Sequence, residues 1–81
     1  MNADKLVKMA NDIGRFFAAN AETELAREQA RFGIADHLKR FWDPRMRRTI
    51  LASLAASQAG GLDELVAAAL RQHHDLLMPQ T

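Results

Sequence analysis

The spacing of apolar residues predicts a chain made of helices. Apolar side chains recur every three or four positions from Ala3 to Ala19, and a weaker version of this spacing continues from Ala21 to Phe41. Two further stripes follow, one from Pro44 to the Gly60-Gly61 pair and one after Asp63. Such spacing places apolar residues on one face of a helix.

No segment alternates between apolar and polar residues with the period of two that strands show, and no internal repeat is present. We therefore expect an all-α fold with three or four short helices in a hairpin-like or bundle arrangement. Residues 1–81 form a single domain in this prediction, and residues 78–81 form a flexible tail.

Four positions predict where these helices begin or end. Asn2 or Asp4 can cap the first helix, and Asn20 can stop it or cap the next element. Asp43-Pro44 predicts the start of the third helix, because aspartate accepts from free N–H groups and proline fits the first helical position. Asp63 is predicted to cap the fourth helix, which we expect to run through Leu77.

Phe16, Phe17 and Gly33 each allow more than one structural role. Phe16 and Phe17 are predicted to lie in the core, since aromatic side chains dominate the area that a small core buries. Gly33 interrupts the second helix at a cost of about 1 kcal/mol relative to alanine. It marks a kink, a close approach between elements, or a boundary between two shorter helices, and the spacing does not choose among them.

The length and composition of the chain exclude several classes of protein. A chain of 81 residues buries only about 60% of the surface that its unfolded form exposes, so we expect a thin core. The absence of cysteine excludes disulfides, zinc thiolates and the usual ligands of iron–sulfur clusters. The sequence shows neither a signal-peptide pattern nor an apolar run that could cross a bilayer, so we expect a cytoplasmic protein without membrane contact.

Basic residues are concentrated in the middle of the chain. Between Arg27 and Arg48 lie seven basic and three acidic residues, against four and seven in the remainder, although the formal net charge is only +1. This asymmetry indicates a surface that binds an anionic partner. A charged face in contact with solvent is the commoner explanation of any single basic cluster.

Residues suited to catalysis or metal binding do not form a recognisable pattern. His73 and His74 are adjacent, so their side chains diverge by about 100° on a helix and do not readily share a metal. The hydroxyl residues Thr23, Thr49, Ser53 and Ser57 lack a histidine and carboxylate arrangement beside them. We therefore predict no catalytic, metal or cofactor site in this chain.

The stretch KRFWDPRMRR, from Lys39 to Arg48, is the strongest candidate for function. It places arginines in the first turn of a helix, where each exposed cation loses about 0.3–1 kcal/mol against the helix dipole. Tryptophan and arginine are also the residues richest in interface hot spots. We expect Trp42 to be partly buried in the core, the arginines to contact a partner, and Arg47 to pair with Asp43.

Three segments resemble one protein family. KLVKMANDIGRFFA (Lys5 to Ala18), IADHLKRFWDPRMR (Ile34 to Arg47) and GGLDELVAAAL (Gly60 to Leu70) are similar to the delta subunit of cytoplasmic, NAD-dependent, molybdenum-containing formate dehydrogenases. The resemblance implies a non-catalytic accessory subunit that docks on the alpha subunit and supports assembly, stability or cofactor loading. The partner subunits would carry bis-molybdopterin guanine dinucleotide, iron–sulfur clusters and FMN.

Carried onto this sequence, the resemblance implies a docking surface that we expect to include His37, Phe41, Trp42, Asp43, Arg45, Met46 and Arg47. Two alternatives remain. One is a small DNA-binding protein that uses Arg45, Arg47 and Arg48, which the apolar continuation of the third helix disfavours. The other is a transient assembly chaperone that leaves the mature enzyme.

Overall fold

The fold contains five α-helices in the computed structural model, which describes residues 2–55 and 61–79. They are α1 (Ala3–Ala18), α2 (Glu24–Phe41), α3 (Pro44–Ala55), α4 (Glu64–Gln72) and the short α5 (His74–Leu77). The described residues include no strand. The prediction of an all-α fold is confirmed.

Helix α2 forms the centre of the bundle, because α1, α4 and α5 all pack against it. Helix α1 also contacts α3 and α4. The side chains that fill the space between the helices are Leu6, Ala10, Ile34, Ala35, Leu38, Trp42, Ile50, Leu51, Val66, Ala69, Leu70 and Leu77. The predicted stripes supply most of this core.

The starts of α1 and α3 follow the prediction. Asn2 Oδ1 accepts a hydrogen bond from the backbone N–H of Asp4 at 2.9 Å, which satisfies one free donor of the first turn. Asp43 Oδ1 does the same for Met46 at 3.0 Å, and Pro44 occupies the first helical position. The predicted end of α3 near residues 60–61 falls largely on residues 56–60, outside the described part of the chain.

The start of α2 differs from the prediction. The cap is Thr23, whose Oγ1 accepts from the N–H of Ala26 at 3.0 Å, so α2 begins three residues later than expected. Asn20 lies in the connection between α1 and α2 and caps neither helix. Threonine is a good capping residue, although it ranks somewhat below asparagine, and Thr23 was not predicted as the cap because the apolar spacing before Leu25 is weak.

The predicted fourth helix is divided into α4 and α5 at His73, whose backbone has φ −111° and ψ 29°. Asp63 occupies the N-cap position of α4 but makes no capping hydrogen bond through its side chain. Instead its backbone N–H donates to Asn11 Oδ1 at 2.9 Å, and its carboxylate lies 3.9 Å from Arg15 of α1. Met78, expected in the tail, is the C-cap residue of α5, and residues 80–81 lie outside the described chain.

Gly14 lets α1 approach α4. A Cβ atom at this position would overlap Cγ2 of Val66, which is completely buried. Valine has few rotamers available in a helix and no free space in the core, so it cannot move aside cheaply.

We therefore expect Gly14→Ala to lower the free energy of unfolding, although helix propensity alone predicts a gain of about 1 kcal/mol. Overpacking of a filled core costs about 1–3 kcal/mol. Urea unfolding of a double-mutant cycle with Val66→Ala is the measurement. In the Val66→Ala background the same glycine substitution is expected to stabilise, because the overlapping methyl group is gone. A gain of stability from Gly14→Ala in the native background would contradict the close contact.

Candidate functional site

The turn between α2 and α3 is built from two residues. The backbone N–H of Trp42 donates to Leu38 O at 3.0 Å and ends α2, and Asp43 then caps α3. Because the connection is so short, the ends of both helices are held in one fixed arrangement. The seven residues predicted to bind a partner all lie at this corner or on the last turns of α2.

Trp42 is a core residue. Its side chain is only 5% exposed and belongs to the main apolar cluster. The expectation of core burial is confirmed, and the burial is nearly complete. Trp42 therefore supports the corner from inside and does not form part of the exposed surface of the chain.

Arg47 is also buried, with 8% exposure. Its Nη1 donates to the carbonyl oxygen of Leu77 at 3.2 Å, in the last turn of α5. A guanidinium is well placed there, because the last carbonyls of a helix have no partner within the helix and carry a partial negative charge. The predicted ion pair with Asp43 does not form, since the Asp43 carboxylate caps α3 while the Arg47 side chain points into the protein.

The other five predicted residues differ in exposure. Phe41 is 70% exposed, and Asp43 and Arg45 are also exposed. His37 and Met46 are half-buried. Partner binding by these residues stays a prediction, but of the five only Phe41, Asp43 and Arg45 are exposed.

Four aromatic side chains form a continuous row across α1 and α2. The Phe16 and Phe17 rings meet edge to face with centroids 5.2 Å apart, and Phe17 lies 6.5 Å from His37. His37 then contacts Phe41, with ring centroids 4.8 Å apart. We call Phe16, Phe17, His37 and Phe41 the aromatic row.

The prediction that both phenylalanines of α1 lie in the core is wrong for Phe16, which is 77% exposed. Phe17 packs against the core. Adjacent residues on a helix point about 100° apart, so one narrow interface cannot bury both rings. This divergence was the signal in the sequence that one of the two side chains would remain outside.

Gly33 makes room for the aromatic row. A Cβ atom at Gly33 would lie 2.6 Å from Cε1 of Phe17, so the ring rests on the bare backbone of α2. Helix α2 continues without interruption through Gly33. Of the three roles left open by the sequence, the close approach between elements is the one observed.

A shallow groove of about 260 Å³ runs beside the row, lined by Ile13, Phe16, Phe17 and His37. Met9 and Ile13 precede Phe16 on α1 by seven and three residues, so all three side chains lie on one side of the helix. Met9 is 38% exposed. The aromatic row is therefore part of a wider apolar face.

The exposed cations near the corner differ in their ion pairing. Arg40 pairs with Asp36 one turn earlier, at 3.1 Å. No carboxylate of the described residues forms an ion pair with Arg45 or Arg48. The described residues of α3 include arginines but no aspartate or glutamate.

The residues considered for catalysis or metal binding are dispersed. Thr23 caps α2 and Thr49 donates to Arg45 O, while Ser57 lies outside the described residues. His73 contacts the Phe32 ring, with centroids 5.7 Å apart. Across residues 2–55 and 61–79, no three histidine, aspartate or glutamate side chains are grouped so that they could hold a metal ion.

No helix in the described part of the chain has the length and apolar character needed to span a membrane.

A family model matches residues 5–70, which is most of the chain, and its description is NADH-dependent formate dehydrogenase delta subunit FdsD. The chain belongs to the FdsD family. No curated protein and no solved structure matches it significantly. The FdsD match includes the whole aromatic row and the α2–α3 turn, and it ends before α5. The partner of Arg47, the carbonyl of Leu77, therefore lies outside the matched residues.

Proposed function

We propose that the chain is a non-catalytic accessory subunit of a NAD-dependent formate dehydrogenase and that it binds the molybdenum-containing alpha subunit through the aromatic row. The family match supports membership of a formate dehydrogenase complex, because the family is described as its delta subunit. The exposure of two phenylalanines at the ends of one aromatic row supports the second half of the proposal.

An exposed apolar surface of this kind lowers the solubility of the free protein, and it is typical of a surface that binds another protein. Phe16 and Phe41 together leave most of two aromatic rings in contact with water. Contiguous apolar patches on a small protein typically mark binding sites, and aromatic residues are enriched there. Phe16 packs edge to face on Phe17, and Phe41 packs on His37 in a tilted contact. These contacts restrict the two rings before binding, so less conformational entropy is lost when a partner covers them.

Arg45 and Asp43 extend the proposed interface beyond the row. Both are exposed at the corner that Phe41 begins, and Arg45 has no ion pair within the described residues. An arginine at the edge of an apolar patch adds orientation and faster association more than affinity. In this proposal Trp42 and Arg47 do not contact the partner directly. They stabilise the α2–α3 turn from inside the protein.

The proposed role is assembly, stability or cofactor loading in the cytoplasm. The large subunits would carry bis-molybdopterin guanine dinucleotide, iron–sulfur clusters and FMN, and this chain would supply none of the redox groups. Since binding to the folded form stabilises it, the bound chain is expected to melt at a higher temperature than the free chain.

The test compares two phenylalanines on opposite sides of α2. Phe41 and Phe32 are nine residues apart, which is about 180° around a helix, and both are exposed. We expect Phe16→Ser with Phe41→Ser to reduce co-purification with the large subunits at least about tenfold, the loss that results when central interface anchors are truncated. Phe32→Ser serves as the control with the same chemical change and is expected to co-purify normally.

Circular dichroism of each variant establishes that its helices are intact. Normal recovery and normal formate oxidation with the Phe16/Phe41 double variant would contradict docking through the aromatic row. A mass measurement of the finished complex separates a permanent subunit from a transient assembly chaperone, which would be absent from it.

DNA binding is the second candidate, favoured by Arg45 and Arg48, which are exposed and form no ion pair with the described residues. The burial of Arg47 removes one member of the predicted cluster. A gel shift that weakens steeply with salt, and that Arg45→Glu with Arg48→Glu abolishes, is the result this alternative requires.

A further inference from the structure

A second groove lies between α3 and α5. It has a volume of about 340 Å³ and is lined by Arg48, Leu51, Ala52, Ala55, His74 and Met78. Four of these six side chains are apolar, and Met78 at one end is 43% exposed. We call this surface the arginine groove.

The outer side of α3 carries positive charge and small side chains. Arg45, Arg48 and Ala52 are all exposed, and they follow one another at spacings of three and four residues. On a helix this spacing forms a single ridge. The methyl groups of Ala52 and Ala55 leave room for the close approach of another helix.

The charge at the edge of the groove is not compensated locally. Arg48 has no ion pair within the described residues, and α3 has no acidic residue of its own. His74, which also lines the groove, has its Nδ1 3.7 Å from the carboxylate of Asp75. An occupant that brings a carboxylate to Arg48 would therefore complete a bidentate ion pair.

We propose that the arginine groove binds an acidic amphipathic helix from a large subunit of the same enzyme complex. Its apolar side chains fill the groove over Leu51 and Met78, and a glutamate or aspartate at the edge pairs with Arg48. This is the helix-in-groove mode of recognition, in which apolar anchors give affinity and flanking charges set orientation. The proposal relies on the proposed function for the identity of the complex, and it adds a second contact surface.

The apolar lining favours a protein segment over nucleic acid. Phosphate contacts require several donors along a track, and bases are held by aromatic stacking or by hydrogen bonds. The groove offers one guanidinium and one imidazole at its edge and aliphatic side chains inside. These groups suit a helix that is apolar on one side and acidic at its margin.

The absence of cysteine from the chain permits a direct test. Ala52→Cys places one thiol on the outer side of α3, and Glu28→Cys places one at an exposed position of α2 outside both grooves. The rate of alkylation is measured for each variant in the free chain and in the purified complex. We expect the thiol at position 52 to react at least about tenfold more slowly in the complex, because a bound helix excludes water and reagent, while the thiol at position 28 changes little.

A carbodiimide cross-link identifies the occupant. Arg48→Lys keeps the charge and supplies an amine that forms an amide bond with a nearby carboxylate. Mass spectrometry of the linked peptide is expected to show an acidic, helix-forming segment of a large subunit. A link to a second copy of this chain, or protection of the Ala52→Cys thiol that nuclease treatment removes, would overturn the proposal in favour of self-association or nucleic acid.

The outcomes separate this proposal from the docking of the aromatic row. If the chain co-purifies while the Ala52→Cys thiol reacts as fast as in the free chain, the groove proposal fails and the proposed function stands. If the Phe16/Phe41 double variant still forms the complex, and the Ala52→Cys thiol is protected in that complex, docking through the aromatic row fails and the groove proposal stands. A chain that never co-purifies contradicts both.

Discussion

Replacing Trp42 with alanine is expected to lower the free energy of unfolding by about 3–5 kcal/mol, the range measured for truncating large buried aromatic residues. The indole is 5% exposed and lies among the core side chains at the α2–α3 turn. A chain of 81 residues has a total stability of about 4–12 kcal/mol at the usual contribution per residue. The variant is therefore expected to be unfolded or close to it at room temperature.

Urea unfolding followed by circular dichroism measures this effect, and Phe41→Ala is the matched control. Phe41 is the preceding residue and is 70% exposed, so its truncation is expected to change stability by no more than about 0.5 kcal/mol. Equal effects of the two substitutions would show that the tryptophan does not fill the core.

Reversing the charge of Arg47 is expected to have an effect of similar size. Arg47→Glu would bring a carboxylate beside the carbonyl oxygen of Leu77, to which the guanidinium now donates at 3.2 Å. A buried charge without a partner costs about 3–5 kcal/mol, and repulsion from the end of α5 adds to it. We expect α5 to lose its attachment, with a large fall in the urea midpoint.

The next residue provides the control for this substitution. Arg48→Glu has the same composition and net charge as Arg47→Glu, but Arg48 is exposed and makes no ion pair within the described chain. Its stability is expected to remain within about 0.5 kcal/mol of the native value. Equal unfolding midpoints for the two variants would contradict the contact between Arg47 and Leu77.

These two expectations decide which variants can report on docking. Trp42→Ala and Arg47→Glu would both abolish co-purification by unfolding the subunit, whether or not the corner touches a partner. Loss of binding is informative only where the free subunit keeps its helices, as expected for substitutions of Phe16, Phe41 and Arg48.

The helix starts show how much of the fold could be predicted locally. Asn2 and Asp43 cap α1 and α3 as expected, since a cap depends on atoms within three residues of it. The same reasoning was wrong about the capping hydrogen bond of Asp63, because Asn11 and Arg15 of α1 lie against the residue. The division of α4 from α5 at His73 was likewise not predictable from apolar spacing, which continues through it.

The candidate site was predictable as a region and not as a set of surface residues. The family resemblance pointed to the α2–α3 corner, and the family match includes this corner. Phe16 was assigned to the core, although it forms one end of the aromatic row. The arginine groove was not foreseen, because apolar spacing does not show that α3 packs beside α5, and Met78 was expected to lie in a flexible tail.

The sequence by itself determined that this protein is helical, where α1 and α3 begin, and which apolar stripes form its core, because these properties depend on spacing and caps within a few residues. Only the tertiary structure decided which member of two adjacent pairs faces inward: Phe17 and not Phe16, Arg47 and not Arg48. The members of each pair are chemically alike or similar. Their side chains diverge along the backbone, so the position of the neighbouring helix determines which one is buried.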